Sequence, residues 1–139
     1  MPSDGARLSP GKKAAITRAT GTYTFDQHLT GRPNSVCELA RAVNEFVVSL
    51  HPSIQVVPKK YYVAYKMVKN MACMEVQKKQ VVLFIKLDPK VHMGPLGISR
   101  DVSKVGHFGT GDLEVSLRAP NDLESAKPFL ELAYRAMIQ

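Results

Sequence analysis

The sequence predicts an α+β fold: a small antiparallel sheet of four to five strands, flanked by an N-terminal and a C-terminal helix packed on one face. Three observations predict it. Apolar stripes at helical spacing run from Val36 to Leu50 and from Leu123 to Met137. Between them lie runs that alternate in character with period two, the mark of half-buried strands. The connections between most of these runs are too short for crossover helices, so neighbours must pair antiparallel.

Residues 1–32 are rich in Gly, Ser, Thr, Pro and basic side chains and have no sustained periodicity. They read as a flexible basic N-terminal arm, with a helical turn at Ala14 to Ala19 and a short extended piece around Tyr23 and Phe25. Residues 33–139 read as a single α+β domain. Ser35 and Glu38 form a capping-box pattern at the start of the first helix. Val36, Leu39, Ala40, Val43, Phe46, Val47 and Leu50 share one helix face. His51-Pro52 ends it, because a residue before proline avoids the helical region.

The β-like runs follow. Ile54 to Val57 is short and closed by Pro58. In Tyr61 to Met67, one face takes Tyr61, Val63, Tyr65 and Met67, and the other Tyr62, Ala64 and Lys66. Met71 to Val76 sets Ala72, Met74 and Val76 against Cys73 and Glu75, and Val81 to Leu87 continues the alternation after a hairpin at Gln77–Gln80. Asp88 to Lys104 is a long mixed segment, and long ordered loops in small domains are often functional. A strand at Asp112 to Arg118 comes next. Pro120-Asn121-Asp122 opens the last helix with Asn121 as N-cap, and Pro128 predicts a kink or restart inside it.

At 139 residues the chain suits one domain with a real core. Its net charge is +7. From Lys59 to Lys104 ten Lys and Arg residues face three acids, so this stretch carries the whole excess. Such a balance favours an acidic partner, nucleic acid or a nucleic-acid-processing enzyme. Solvated strand edges guarded by lysine are the competing reading. The Val81–Ile85 apolar run is far short of the ~18 residues that span a bilayer, and the N-terminus has no apolar signal core. A cytoplasmic protein without a membrane partner is expected. Cys37 and Cys73 fit no metal spacing, and neither a metal nor a cofactor is expected.

The most chemically loaded stretch is a glycine-rich turn, Gly106 to Gly111, that leads into the Leu113–Leu117 alternation. Phosphate-cradling loops need a helix directly after the glycines, and here a strand follows. The turn is either a structural one held by Thr110 and Asp112 or a candidate binding loop of His107, Gly109, Thr110, Gly111, Asp112 and Glu114. No catalytic residue set is assigned. Asp101, Asp112, Glu114 and Lys104 are the clustered candidates for a nuclease-like metal site, and they have no diagnostic spacing. Ser103, His107 and Asp112 lack the context of a nucleophile elbow. The candidate basic surface is Lys59, Lys60, Tyr62, Lys66, Lys78, Lys79 and Lys104, where lysines meet phosphate and an exposed tyrosine stacks on bases. Tyr61 and Tyr65 lie on the apparent core face.

The strings Val57-Pro58-Lys59-Lys60-Tyr61-Tyr62-Val63-Ala64-Tyr65 and Gly106-His107-Phe108-Gly109-Thr110-Gly111-Asp112-Leu113-Glu114, with the order of elements, resemble a bacterial domain family of unknown function. It is the type labelled "predicted transport protein", found free-standing or appended to restriction-type nucleases. The resemblance covers roughly Phe25 to Met137. It implies no catalytic residues, and the nuclease part of the multi-domain relatives is not among these 139 residues. The reading is thus a small accessory module associated with nucleic acid through a basic sheet surface. The alternatives are a small-molecule or anion binder or an enzyme, with its pocket at the His107 loop, and a protein–protein adaptor or homodimer through a strand edge.

Overall fold

A computed structural model describes residues 22–139. The arm residues before Thr22, including the expected turn at Ala14 to Ala19, lie outside the described residues. The elements are helices α1 (Phe25–Leu29) and α2 (Asn34–Ser49), strands β1 (Gln55–Pro58), β2 (Val63–Lys66), β3 (Asn70–Val76), β4 (Val81–Ile85), β5 (Ser99–Asp101) and β6 (Leu113–Leu117), and helix α3 (Pro120–Ile138). The strands form one antiparallel sheet in the order β1-β2-β3-β4-β6-β5, so β1 and β5 are its edges.

The α+β class holds, with six strands where four to five were expected. The extra strand, β5, lies in the segment read as a loop. It has only three residues, too few to show a period, and its pairing with β6 is extended by Ser116 N donating to Ile98 O at 2.7 Å. A second difference is α1, where an extended piece of the arm was expected. Thr24 and Gln27 cap it reciprocally: Gln27 N donates to Thr24 Oγ1 (3.3 Å) and Thr24 N to Gln27 Oε1 (2.8 Å). Five residues do not hold a helix alone, and α1 persists because Leu29 is buried in the core.

α2 buries Val36, Cys37, Leu39, Ala40, Val43 and Val47, the expected stripe widened by Cys37. Its N-cap is Pro33, so Ser35 already lies inside the first turn and the Ser35–Glu38 box does not form. α3 begins at Pro120, one residue ahead of Asn121. The capping expected of Asn121 is absent; instead the Asp122 carboxylate, in the first turn, reaches back to accept the backbone N–H groups of Arg118 (2.8 Å) and of the N-cap Ala119 (3.2 Å). Pro128 sits within a helix that continues to Ile138 without a restart.

The sheet has two unlike faces. Val63, Tyr65, Ala72, Met74, Leu83, Ile85, Leu113, Val115 and Leu117 join the apolar sides of α1, α2 and α3 in the main core. Each large side chain in it contributes roughly 1.5–3 kcal/mol through burial. Tyr65 keeps its hydroxyl bonded, donating to Asn44 Oδ1 of α2 at 3.0 Å. Burial, assisted by Cys73, pushes that phenol well above its ordinary pKa. The opposite face carries a smaller cluster of Ala64, Cys73, Val82, Phe84 and Val102, edged by Val57 and Tyr62. No helix covers it. The chain between β5 and β6 does.

Candidate functional site

The register sets the site. Pro58 pairs with Val63, Val63 with Met74, Val76 with Val81 and Val81 with Leu117. The β1–β2 turn (59–62) and the β3–β4 hairpin (77–80) therefore leave the sheet at the same end. The hairpin is tight, with Gln77 N donating to Gln80 O at 2.9 Å. α1 is tied to both. Arg32 Nε donates to Val76 O at 3.1 Å, and His28 Nε2 lies 2.7 Å from Lys59 O. A carbonyl oxygen only accepts, so His28 holds its proton on Nε2. Burial holds the His28 pKa below the ordinary histidine value; the bond to Lys59 O opposes the shift and the Arg32 charge adds to it.

These segments enclose an open cleft of about 470 Å³. Arg32, Lys60 and Lys78 supply cations to its lining, Gln27, His28 and Gln77 supply polar groups, and Glu75 is the acid. The Glu75 carboxylate accepts from Gln77 Nε2 at 2.6 Å. The Arg32 Nη atoms have no hydrogen-bond partner among the described residues. One wall is an aromatic pair. Tyr61 and Phe108 stack with centroids 4.5 Å apart and planes 24° apart, yet they remain 51% and 52% exposed. Lys60 Nζ sits 5.3 Å from the Tyr61 ring centroid. An exposed flat aromatic surface beside three cations can take a planar, anionic ligand.

The glycine-rich loop reaches this cleft through Phe108 alone. Its other side chains fasten it to the helix-free face. His107 lies flat on Phe84, with centroids 4.3 Å apart and planes 3° apart. Thr110 N donates to Cys73 Sγ at 3.2 Å, and Thr110 Oγ1 accepts from Asn70 Nδ2 at 3.4 Å. Burial pushes the Cys73 thiol up, against the opposing effect of the Thr110 N–H. Gly109 (φ +83°) lies against Cys73. At Gly111 (φ +138°) a Cβ would stand 2.6 Å from the backbone carbon of Phe84. Asp112 O accepts from Val102 N at 2.9 Å. Glu114 pairs with Arg100 through contacts of 2.9 and 3.2 Å, which raises the Arg100 pKa. Asp101 accepts from Ser103 N and Oγ, and its carboxyl falls below the usual range. Among the described residues no three His, Cys, Asp or Glu side chains gather as metal ligands would.

The sequence-predicted lysines divide. Lys60 and Lys78 line the cleft, and Lys59 and Lys79 stand beside them in the same two turns. Lys66 lies at the far end of β2, between Gln55 and Asn70, and Lys104 lies in the chain after β5. Tyr62 is half-buried against the small cluster. The basic side chains thus gather at the ends of the sheet, and its helix-free face is apolar and covered. Sequence reasoning missed Gln27, His28, Arg32 and Phe108, and it placed Tyr61 on the core face. The Thr24-x-x-Gln27 capping pattern was the available signal for the α1 residues. Two further hollows exist: a groove of about 590 Å³ between α2 and α3, and a cleft of about 310 Å³ beside Arg100 and Glu114.

Fold and site together define a small α+β domain with a six-stranded antiparallel sheet and an aromatic-walled basic cleft at one end. The chain belongs to the bacterial family described as Domain of unknown function (DUF5655), whose model matches residues 25–137. It is similar to an uncharacterized protein of Haemophilus influenzae, 26% identical over 121 residues. That match covers 87% of this chain and 40% of the relative, so the chain spans less than half of that protein's length. No solved structure gives a significant match. Among the described residues no helix is long and apolar enough to cross a membrane.

Proposed function

We propose that the domain is an accessory module that binds single-stranded nucleic acid in the end cleft. The observation that carries this reading is the stacked pair Tyr61–Phe108, half exposed beside Arg32, Lys60 and Lys78. An unpaired base stacks on an exposed ring, while neighbouring cations neutralise phosphates. A duplex hides its base faces, so the aromatic wall favours single strands. The resemblance to domains appended to restriction-type nucleases supports an accessory role. The Haemophilus relative, more than twice the length of the match, is consistent with a module that serves within larger proteins.

The test is fluorescence anisotropy with a labelled single strand and the matching duplex, across a salt series. Single strands should bind more tightly, with log affinity falling by ~0.7 per phosphate contacted for each tenfold rise in salt. Tyr61→Ala should cost ~1–3 kcal/mol, and Lys60→Glu with Lys78→Glu should flatten the salt slope. Equal affinity for duplex, indifferent to Tyr61→Ala, would refute the stacking role.

A further inference from the structure

The opposite end of the sheet carries a different surface. Lys66 pairs with Gln55 and Asn70, and Ile85 with Ala72 and Leu113. The β2–β3 turn and the chain leaving β4 therefore emerge together, away from the end cleft. Val68 stands at the tip of that turn, which Met67 N closes by donating to Lys69 O at 3.3 Å. It is 82% exposed. Val91 (70%) and Met93 (75%) stand out from the segment after β4, where Asp88 O accepts the N–H groups of Val91 and His92.

Lysines flank these apolar tips. Lys66 and Lys69 bracket Val68, and Lys86 and Lys90 precede Val91. Lys90 and Lys104 both lie close enough to Asp101 to influence its carboxyl. Of the acids at this end, Asp88 and Asp101 are engaged locally, by Lys90 N (2.9 Å) and by Ser103, and Asp112, just before β6, is exposed and set against the surrounding lysines.

We infer that this end rests on an anionic lipid surface, with Val68, Val91 and Met93 entering the headgroup boundary and the lysines lying among the headgroups. Val68 stands on one segment and Val91 and Met93 on another, and none of them lines any of the three hollows described above. A protein partner would need a fitted pit for each tip. A fluid bilayer surface accepts them singly. Lysine suits it too, since a compact hydrated charge gains from a diffuse negative field without fixed pairing geometry. That no helix among the described residues is long and apolar enough to span a membrane does not bear on a contact that buries only side-chain tips.

The experiment is flotation of the full chain with vesicles of phosphatidylcholine alone and of phosphatidylcholine mixed with phosphatidylserine, at low and higher salt. The chain should float with the anionic vesicles only, and less as salt rises. Lys69→Gln should weaken partitioning about fivefold, and Val68→Asp with Met93→Asp should abolish it. Tyr61→Ser and Lys78→Glu, which disable the other end, should leave it unchanged, so the two readings fail separately. No flotation with anionic vesicles at low salt overturns the inference. So does flotation that survives Val68→Asp with Met93→Asp but is lost in Lys78→Glu. Circular dichroism checks folding; if the aspartate variant unfolds, Lys69→Gln and Val68→Ser decide, and binding unaltered by both overturns it.

Discussion

Gly111→Ala is expected to be far more damaging than alanine at two other glycines. At Gly111 φ is +138°, and a Cβ would lie 2.6 Å from the Phe84 carbon, 2.7 Å from its oxygen and 2.8 Å from Ile85 N. These are backbone atoms of β4, a strand paired on both sides, and they cannot yield as a side-chain end does. The conformational strain costs about 1–3 kcal/mol, and the forced separation of loop and strand about 1–3 kcal/mol more. A total of about 4 kcal/mol corresponds to a fall in Tm of about 12 °C for a domain of this size. Gly97 (φ +82°) has open space where its Cβ would go, so Gly97→Ala should cost about 1–2 kcal/mol for the left-handed backbone alone. Gly106 has neither a left-handed φ nor a neighbour within reach. Gly106→Ala should be neutral or stabilise by up to about 1 kcal/mol. Calorimetry and urea unfolding of the three variants give the ranking. If Gly111→Ala were no worse than Gly97→Ala, the loop would not be seated on β4 as described.

Two further outcomes follow from single contacts. His28 has a folded-state pKa below its unfolded value, so its contribution is complete above about pH 6.5 and is lost as pH falls through the lowered folded value. Stability measured against pH should drop across that window in wild type, and less in His28→Gln. Asp122→Ala leaves the N–H groups of Arg118 and Ala119 without their acceptor and should cost about 1 kcal/mol in urea unfolding.

The parts of this fold that could be read from the sequence are those with enough residues to show a period. α2 offers four turns of one stripe, and β2, β4, β6 and β3 from Ala72 onward separate their two faces residue by residue; at the start of β3 a register shift against β2 puts Met71 and Ala72 in the same core. Short elements escape. β5 has three residues, and α1 is held by tertiary burial of Leu29, which local pattern does not reveal. Tyr61 was misplaced because the alternation of β2 was carried past its first residue, Val63; before that the chain turns and the ring swings out onto Phe108. At α3 two rules competed, and proline's preference for the first helical position outweighed asparagine's for the cap. The cleft was hardest to see. Its lining runs from Gln27 to Phe108, and only strand register brings those residues to one end.

The edges of the sheet have a consequence for how copies of this protein behave together. β1, four residues long, ends in Pro58, which has no N–H to offer, and β5 presents three residues, two of them the exposed Arg100 and Asp101. An incoming strand finds few donors on one side and, on the other, a short charged segment already twisted into a salt bridge with Glu114. Templated growth, the route from a soluble sheet to a fibril, is blunted at both margins. Among the described residues, the backbone ladder thus ends at six strands on margins that offer a further strand little to pair with.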